Sequence, residues 1–333
     1  MKNYKKILIV QTAFLGDVIL ITPLIRGLKQ IFPDSDIDVL VIPQSKGILD
    51  NNPDINNIYY FDKRKNKLKD FIKTLKQIKQ NKYNLAILPH SSFTTAMLTF
   101  FANIPERIGF DRGTAAKFLT KKTSFRHDVR RIEKNLDLLK FFSDKKFDIQ
   151  TELFPDKETK NQAIGLLKNF NKDKTIAIAP GSVWDTKRWP EKYYKELSDK
   201  LVENGFNLVY IGSKQEQDLC EKIAPKNKTL ILAGKASILL SAAIIEKCNL
   251  MICNDSGALH IANAVKTDVF AFFGPTVKSF GYSPFRKNDY VFEKDLDCRP
   301  CGNHGHKKCP LTHHNCMKMI LPDEVLKQII NKY

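Results

Sequence analysis

The chain has 333 residues, 43% of them hydrophobic and 27% charged, with a formal net charge of +18; this is the make-up of a soluble globule long enough for two domains. No apolar run approaches the roughly 20 residues that a membrane span needs. The opening MKNYKKILIV is interrupted as a signal sequence by Gln11, Thr12 and Asp17, and no small-residue cleavage site follows. The expected compartment is therefore the cytoplasm, where the seven cysteines should not form disulfides.

The first predicted elements are a strand at 6–10 (KILIV), the turn TAFLGD, a helical segment VILITPLIRGLKQIF and a second strand at 37–42, which together make a β-α-β unit. Further strands are expected at 57–61 and 85–89. Between them Leu68, Phe71, Ile72, Leu75 and Ile78 fall at helical spacing, as a single stripe suited to burial. Residues 51–150 hold 21 Lys and Arg against 10 Asp and Glu, which is +11 of the total charge. Such a field favours nucleic acid, anionic lipid or phosphorylated glycan, and it also arises in a lysine-rich protein with no such partner.

After the charged, Pro-bearing stretch 147–162 the alternation begins again. Short apolar strands are expected at 175–181, 207–212, 229–234, 250–255 and 269–274, with a terminal helix in PDEVLKQIINKY. Buried apolar strands alternating with helices predict a second parallel sheet covered on both faces. The expected domains are 1–160 and 161–333, both open α/β.

Ligands of open parallel sheets bind beyond the carboxyl ends of the strands, so four exits are candidate sites: TAFLGD, PGSVWDTKRWP, GSKQE and NDSGALH. TAFLGD has one Gly where a dinucleotide fingerprint needs three, and it lacks the Lys of a P-loop, which argues against nicotinamide chemistry and NTP hydrolysis. Its Asp17 reads either as a helix-start carboxylate or as a catalyst. PGSVWDTKRWP offers Ser182, Thr186, Lys187 and Arg188 to one phosphate group; alternatively a cation there stacks on Trp184 or Trp189. In NDSGALH, Asp255, Ser256 and Gly257 either cap the following helix or leave its N–H groups open to an anion. C-x2-C-x7-C-x6-C, at Cys298, Cys301, Cys309 and Cys316, has enough thiols for a structural zinc, and His304, His306, His313 or His314 could replace one. The other reading of that segment is a compact loop of unpaired thiols.

The GDVIL turn, PGS-x-W-x-T-K-R-W-P, NDSG-x-x-H followed by FFGPT, and the trailing C-x-x-C, CP and CM series resemble family nine glycosyltransferases, the ADP-heptose:lipopolysaccharide heptosyltransferases. The resemblance spans nearly the whole chain. It implies GT-B architecture, two Rossmann-like doubly wound domains facing across a cleft, with the acceptor held by the N-terminal domain and the nucleotide sugar by the C-terminal one. It also implies an inverting transfer from ADP-heptose to the lipopolysaccharide inner core. The roles it carries over are Asp17 as general base, Ser182 and Lys187 as phosphate contacts, Glu216 as a ribose contact, and Asp255, Ser256 and Gly257 as the donor turn. Thr12 and His260 join the donor-binding set, and Lys187 is counted with Asp17 as catalytic.

No cofactor is expected for catalysis, since no strand exit carries a DxD-like metal motif. The basic first half would meet a phosphorylated acceptor at the inner membrane, where the enzyme would be peripheral. Asp268 stands where many members have Pro, and Thr12-Ala13 replaces the paired hydroxyl residues of some. The rivals are another nucleotide-sugar donor or a protein acceptor and, in a different class, a basic zinc-containing nucleic-acid-binding protein.

Overall fold

The computed structural model describes residues 3–62 and 67–333 and divides into two compact units, Met1–Phe154 and Pro155–Tyr333. The first unit is built on β1 (Lys6–Gln11), β2 (Asp36–Val41), β3 (Asn57–Tyr60), β4 (Leu85–Leu88), β5 (Glu106–Phe110) and β6 (Lys121–Thr123). They lie in the order β3-β2-β1-β4-β5-β6, and every pairing is parallel, with Ile7 opposite Ile37 on one side and Leu85 on the other. The helix expected over VILITPLIRGLKQIF is two helices, Leu15–Ile19 and Thr22–Ile31. Pro23 explains the break, because proline is accepted in a first helical turn and disrupts a helix interior.

The stripe expected at 68–78 is only partly buried. Helix Lys67–Asn81 turns Thr74 and Ile78 inward, with Phe71 and Leu75 packed against the core, and leaves Leu68 and Ile72 exposed. The residues before it, 63–66, belong to the basic run 63–82 and lie outside the described residues.

The second unit opens with helix Lys157–Leu166, whose N-cap Asp156 accepts from the Thr159 N–H at 2.8 Å. Its sheet holds β7 (Thr175–Ala179), β8 (Asn207–Tyr210), β9 (Thr229–Ile231), β10 (Leu250–Asn254), β11 (Asp268–Phe272) and β12 (Tyr290–Phe292). The order is β12-β11-β10-β7-β8-β9, again parallel throughout. Each sheet therefore grows outward from its first strand and then restarts on that strand's other side, the doubly wound Rossmann order. β7 and β10 are buried at every residue, as strands covered on both faces should be. Asp268 begins β11 and binds Lys332 at 3.1 Å and the Tyr333 hydroxyl at 3.0 Å, tying down the residues after helix Pro322–Ile330.

Candidate donor and acid-base sites

In each sheet the strand order reverses at one place, and a crevice for a ligand opens there beyond the strand ends. In the second unit this place is between β7 and β10. The loop after β7 and the turn after β10 are stitched together by Asn254, which is fully buried. Its amide N–H groups donate to Pro180 O at 2.8 Å and Gly181 O at 3.1 Å, and its oxygen accepts from Trp189 N at 2.9 Å and Tyr194 Oη at 3.2 Å. An asparagine with every polar atom engaged in a dry interior fixes the loop's course.

On that frame the Lys187 ammonium meets Asp255 Oδ2 at 2.5 Å, and the Thr276 hydroxyl donates to the same oxygen at 2.6 Å. Lys187 and Asp255 side chains are 13% and 8% exposed, so the pair is largely withdrawn from water while its edge remains reachable. Directly beyond Asp255, helix Gly257–Ala264 begins at Ser256, whose side chain makes no capping bond. The first-turn N–H groups of such a helix favour an anion. Ser182 and Thr186 lie in the same loop, both buried.

Arg188 is engaged within its own loop instead, its side chain partly exposed, giving two bonds to Ser182 O at 2.9 and 2.7 Å and an ion pair to Asp185 at 3.0 Å. It shapes the loop that carries Lys187. The tryptophans are also structural: Trp189 stacks on Phe272 at 4.3 Å and donates to Ile320 O at 3.0 Å, and Trp184 lies parallel to His304.

Glu216 belongs to a capping box in which its Oε2 accepts from the Ser213 N–H and hydroxyl, both at 2.7 Å. Its carboxyl occupies the space where a side chain at position 181 would project, so a Cβ on Gly181 would overlap it. Gly181 is thus required for close approach, and Glu216 is set against the exit of β7. His260, one turn into the helix, is buried, and that burial pulls its pKa down to about 4, with Asp255 opposing and Lys187 adding to the fall. Its imidazole is neutral at pH 7.

In the first unit the reversal lies between β1 and β4. Asp17 sits in the first turn of helix Leu15–Ile19, its side chain 12% exposed, with Arg131 Nε 3.8 Å away. Arg131 is held from the other side by a bond to Pro89 O at 2.9 Å, just after β4. Thr12, buried at the end of β1, faces His90 Nδ1 at 3.5 Å. Thr12 therefore belongs to the first unit, whereas the other residues read as donor contacts belong to the second. Nothing in the local sequence marks Arg131 or His90 as members of these clusters, whereas Asn254 and Thr276 stand in the NDSG and FFGPT motifs without a role having been read for either.

A profile of glycosyltransferase family 9 (heptosyltransferase) matches residues 71–312. This chain belongs to that family. It is 27% identical to lipooligosaccharide heptosyltransferase 2 of Campylobacter jejuni subsp. jejuni serotype O:6, over 97% of this chain and 98% of the relative. To lipopolysaccharide heptosyltransferase 3 of Escherichia coli K12 it is 28% identical, over 83% and 84%. Among solved structures, a family 9 glycosyl transferase from Veillonella parvula DSM 2008 superposes with a TM-score of 0.87 at 21% identity, covering 99% of this chain and 98% of that one. The E. coli ADP-heptose lps heptosyltransferase II gives 0.80 at 21%, covering 98% of each. The fold is GT-B, two Rossmann-like domains, and the glycosyltransferase is an enzyme; a nucleic-acid-binding module is not what this chain is.

Proposed function

We propose that this glycosyltransferase moves a heptose from ADP-heptose to the inner core of a lipopolysaccharide or lipooligosaccharide, with inversion at the anomeric carbon. The observation that carries the reading is the Lys187–Asp255–Thr276 cluster beside an open helix N-terminus at the β7/β10 reversal. A cation and backbone N–H groups at one strand edge suit a departing diphosphate. Ser182 adds a hydroxyl, Glu216 the ribose contact, and Asp255, Ser256 and Gly257 the turn that faces the donor. Neutral His260 supports this turn from within and supplies no charge to the diphosphate.

In the first unit, Asp17 is the general base. The acceptor hydroxyl oxygen forms a bond to the anomeric carbon as the bond from that carbon to the diphosphate oxygen breaks. The hydroxyl proton passes to the Asp17 carboxylate and ADP leaves with the bonding pair. Arg131 holds the carboxylate in position. Thr12 supports the same loop and, in this reading, offers its hydroxyl to the donor. No cofactor takes part in these steps, in keeping with the family's general independence of one. The test is a donor screen with purified protein on a deacylated acceptor: ADP release from ADP-heptose is expected. Turnover with a UDP-sugar in its place would overturn the donor assignment.

The acceptor's lipid places the reaction at a membrane surface, and no helix among the described residues is long and apolar enough to cross one. Peripheral attachment from the cytoplasm is the corresponding reading. Leu68 and Ile72 are exposed on helix Lys67–Asn81 beside the exposed lysines Lys69, Lys73 and Lys76. Helix Phe93–Phe101 adds exposed Phe93, Phe100 and Phe101. Apolar side chains amid cations fit an anionic bilayer.

A further inference from the structure

The loop that leaves β11, residues 273–276, carries the Thr276 hydroxyl to Asp255. Every carbonyl of this loop accepts a bond from Arg299 or Cys301. The Arg299 side chain, 5% exposed, donates through Nε to Gly274 O and through Nη2 to Phe273 O at 3.1 Å and Thr276 O at 2.8 Å, while Cys301 N donates to Pro275 O at 3.0 Å. Arg299 Nη1 donates to Lys294 O, and Nη2 also meets Glu293 Oε2 at 3.1 Å. Glu293 supplies the counter-charge that a guanidinium withdrawn from water requires.

Arg299 belongs to a stretch, residues 293–314, that contains no helix or strand. Its four cysteines are free thiols, and among the described residues no three His, Cys, Asp or Glu side chains are gathered as a ligand shell. A guanidinium is planar and holds five N–H donors in a rigid fork. Here Nε and both terminal nitrogens are engaged, so the loop carbonyls cannot shift without leaving a withdrawn donor unpaired. Threonine is stiff at χ1, and a fixed backbone at Thr276 therefore also fixes where its hydroxyl points. It points at Asp255 Oδ2, 2.6 Å away, the oxygen that meets Lys187 Nζ at 2.5 Å. An ammonium has three donors, and giving one to a fixed carboxylate oxygen leaves the others with fixed directions.

We infer that Arg299 is a positioning residue of the donor site: through the backbone of residues 273–276 it aims the Thr276 hydroxyl at Asp255 and so sets where the Lys187 ammonium stands. Its own donors are spent on carbonyls and on Glu293, so it acts on the ligand only through the others. The same stretch holds the residue before Lys187, since Thr186 N donates to His306 O at 3.0 Å and His314 Nε2 donates to Thr186 O at 2.7 Å. Both partners of the Lys187–Asp255 pair are thus registered against one segment. Such registration matters because a misplacement of about 1 Å at a reacting centre costs on the order of a hundredfold in rate. The consequence for ADP rests on the donor reading above; the link from Arg299 to Thr276 stands without it.

The test is a double-mutant cycle on the full chain with Arg299→Lys and Thr276→Val, read by urea unfolding and by ADP calorimetry well below every variant's Tm. Lysine keeps the charge beside Glu293 and cannot span the loop carbonyls from one point. In urea, Thr276→Val should cost less in the Arg299→Lys chain than in the wild type. In calorimetry each single variant should weaken ADP binding by about tenfold, and the double variant no more than the larger single loss. Turnover should fall with ADP affinity while KM for the acceptor stays the same, a split that loss of folded protein does not give. Additive losses in urea would overturn the link to Thr276, and additive losses of ADP affinity would overturn the positioning of the donor site. A wild-type chain that binds no ADP would refute the donor reading, and the urea cycle would then decide the link by itself. If Arg299→Lys does not fold, Thr276→Val decides: ADP affinity equal to wild type overturns the inference, and a loss of about tenfold upholds it.

Discussion

Lys187→Ala separates two roles that the Lys187–Asp255 pair combines. Removing one partner of a buried pair leaves an uncompensated charge, here Asp255, 8% exposed, with the Thr276 hydroxyl still bonded to it. Such a loss costs about 3–5 kcal/mol. For a unit of this size each kcal/mol lowers Tm by about 2–4 °C, so the variant should melt roughly 6–20 °C below wild type. The same ammonium is assigned to the departing diphosphate, where one donor contributes about 3–4 kcal/mol to the transition state, or a factor of about 10² to 10³ in turnover. The discriminating variant combines Lys187→Ala with Asp255→Asn, which removes the stranded charge. Melting followed by calorimetry should show most of the stability regained, while single-turnover transfer and ADP affinity stay low. If activity recovers together with stability, Lys187 acts only by neutralising Asp255, and its contact with the diphosphate is refuted.

Four further outcomes are expected. Asp17→Asn should keep the native circular dichroism, with Tm lowered because buried Arg131 loses its carboxylate, and lose transfer by at least about a hundredfold; near-normal turnover would leave Asp17 a helix-start residue. His260 has its folded pKa lowered from 6.5 to about 4, so the unfolded chain takes up its proton first as pH falls. The stability contributed by the neutral ring is complete above pH 6.5 and is lost progressively down to pH 4, by about 3 kcal/mol. His260→Gln should show a correspondingly shallower fall in urea stability over that range, and an identical slope would contradict the buried neutral ring. Gly181→Ala should displace the Glu216 carboxyl and weaken ADP binding non-additively with Glu216→Ala in a double-mutant cycle; additive losses would place Glu216 outside the ribose contact. Replacing Lys69, Lys73 and Lys76 together with Gln should release the enzyme from anionic vesicles at lower salt, at about 1 kcal/mol per lysine, while transfer to a soluble acceptor persists. Vesicle binding that is the same for both proteins across the salt series would reduce this face to a solvated one.

The elements legible in the sequence are those whose pattern comes from burial. β1, β2, β4, β7, β10 and β11 lie inside their sheets and read as apolar runs. The strands that escape notice carry the wrong chemistry for that signal: β5 is Glu-Arg-Ile-Gly-Phe, β6 is Lys-Lys-Thr at an edge, and β12 has only three residues at another edge. An edge strand needs no apolar face on its open side, and charged residues there discourage edge-to-edge pairing. The sites divide in the same way. Lys187 and Asp255 stand in motifs at strand exits, where topology alone directs attention. Arg131 reaches Asp17, and Thr276 reaches Asp255, through contacts that only the folded chain makes. Arg188 looks like an anion ligand in sequence and is spent on its own loop, because the carbonyl of Ser182 lies within its reach.

The two units use one topology for opposite electrostatic ends. Each carries its polar cluster at the reversal of strand order, after the first strand and after the fourth, where two loops diverge and backbone groups are left for a ligand. In the first unit this position is given to a carboxylate beside a guanidinium, which on the proposed mechanism takes up the acceptor's proton. In the second it is given to an ammonium, hydroxyls and a helix start, an arrangement that attracts a diphosphate and has no free base, since Asp255 is committed to Lys187 and Thr276 and His260 is buried and neutral. The fold fixes where chemistry occurs and leaves its sign to a few side chains. A displacement in which one group takes a proton while another receives negative charge needs these two environments kept distinct. On the proposed mechanism each unit supplies one of these environments, a carboxylate beside Arg131 in the first and an ammonium beside a helix start in the second.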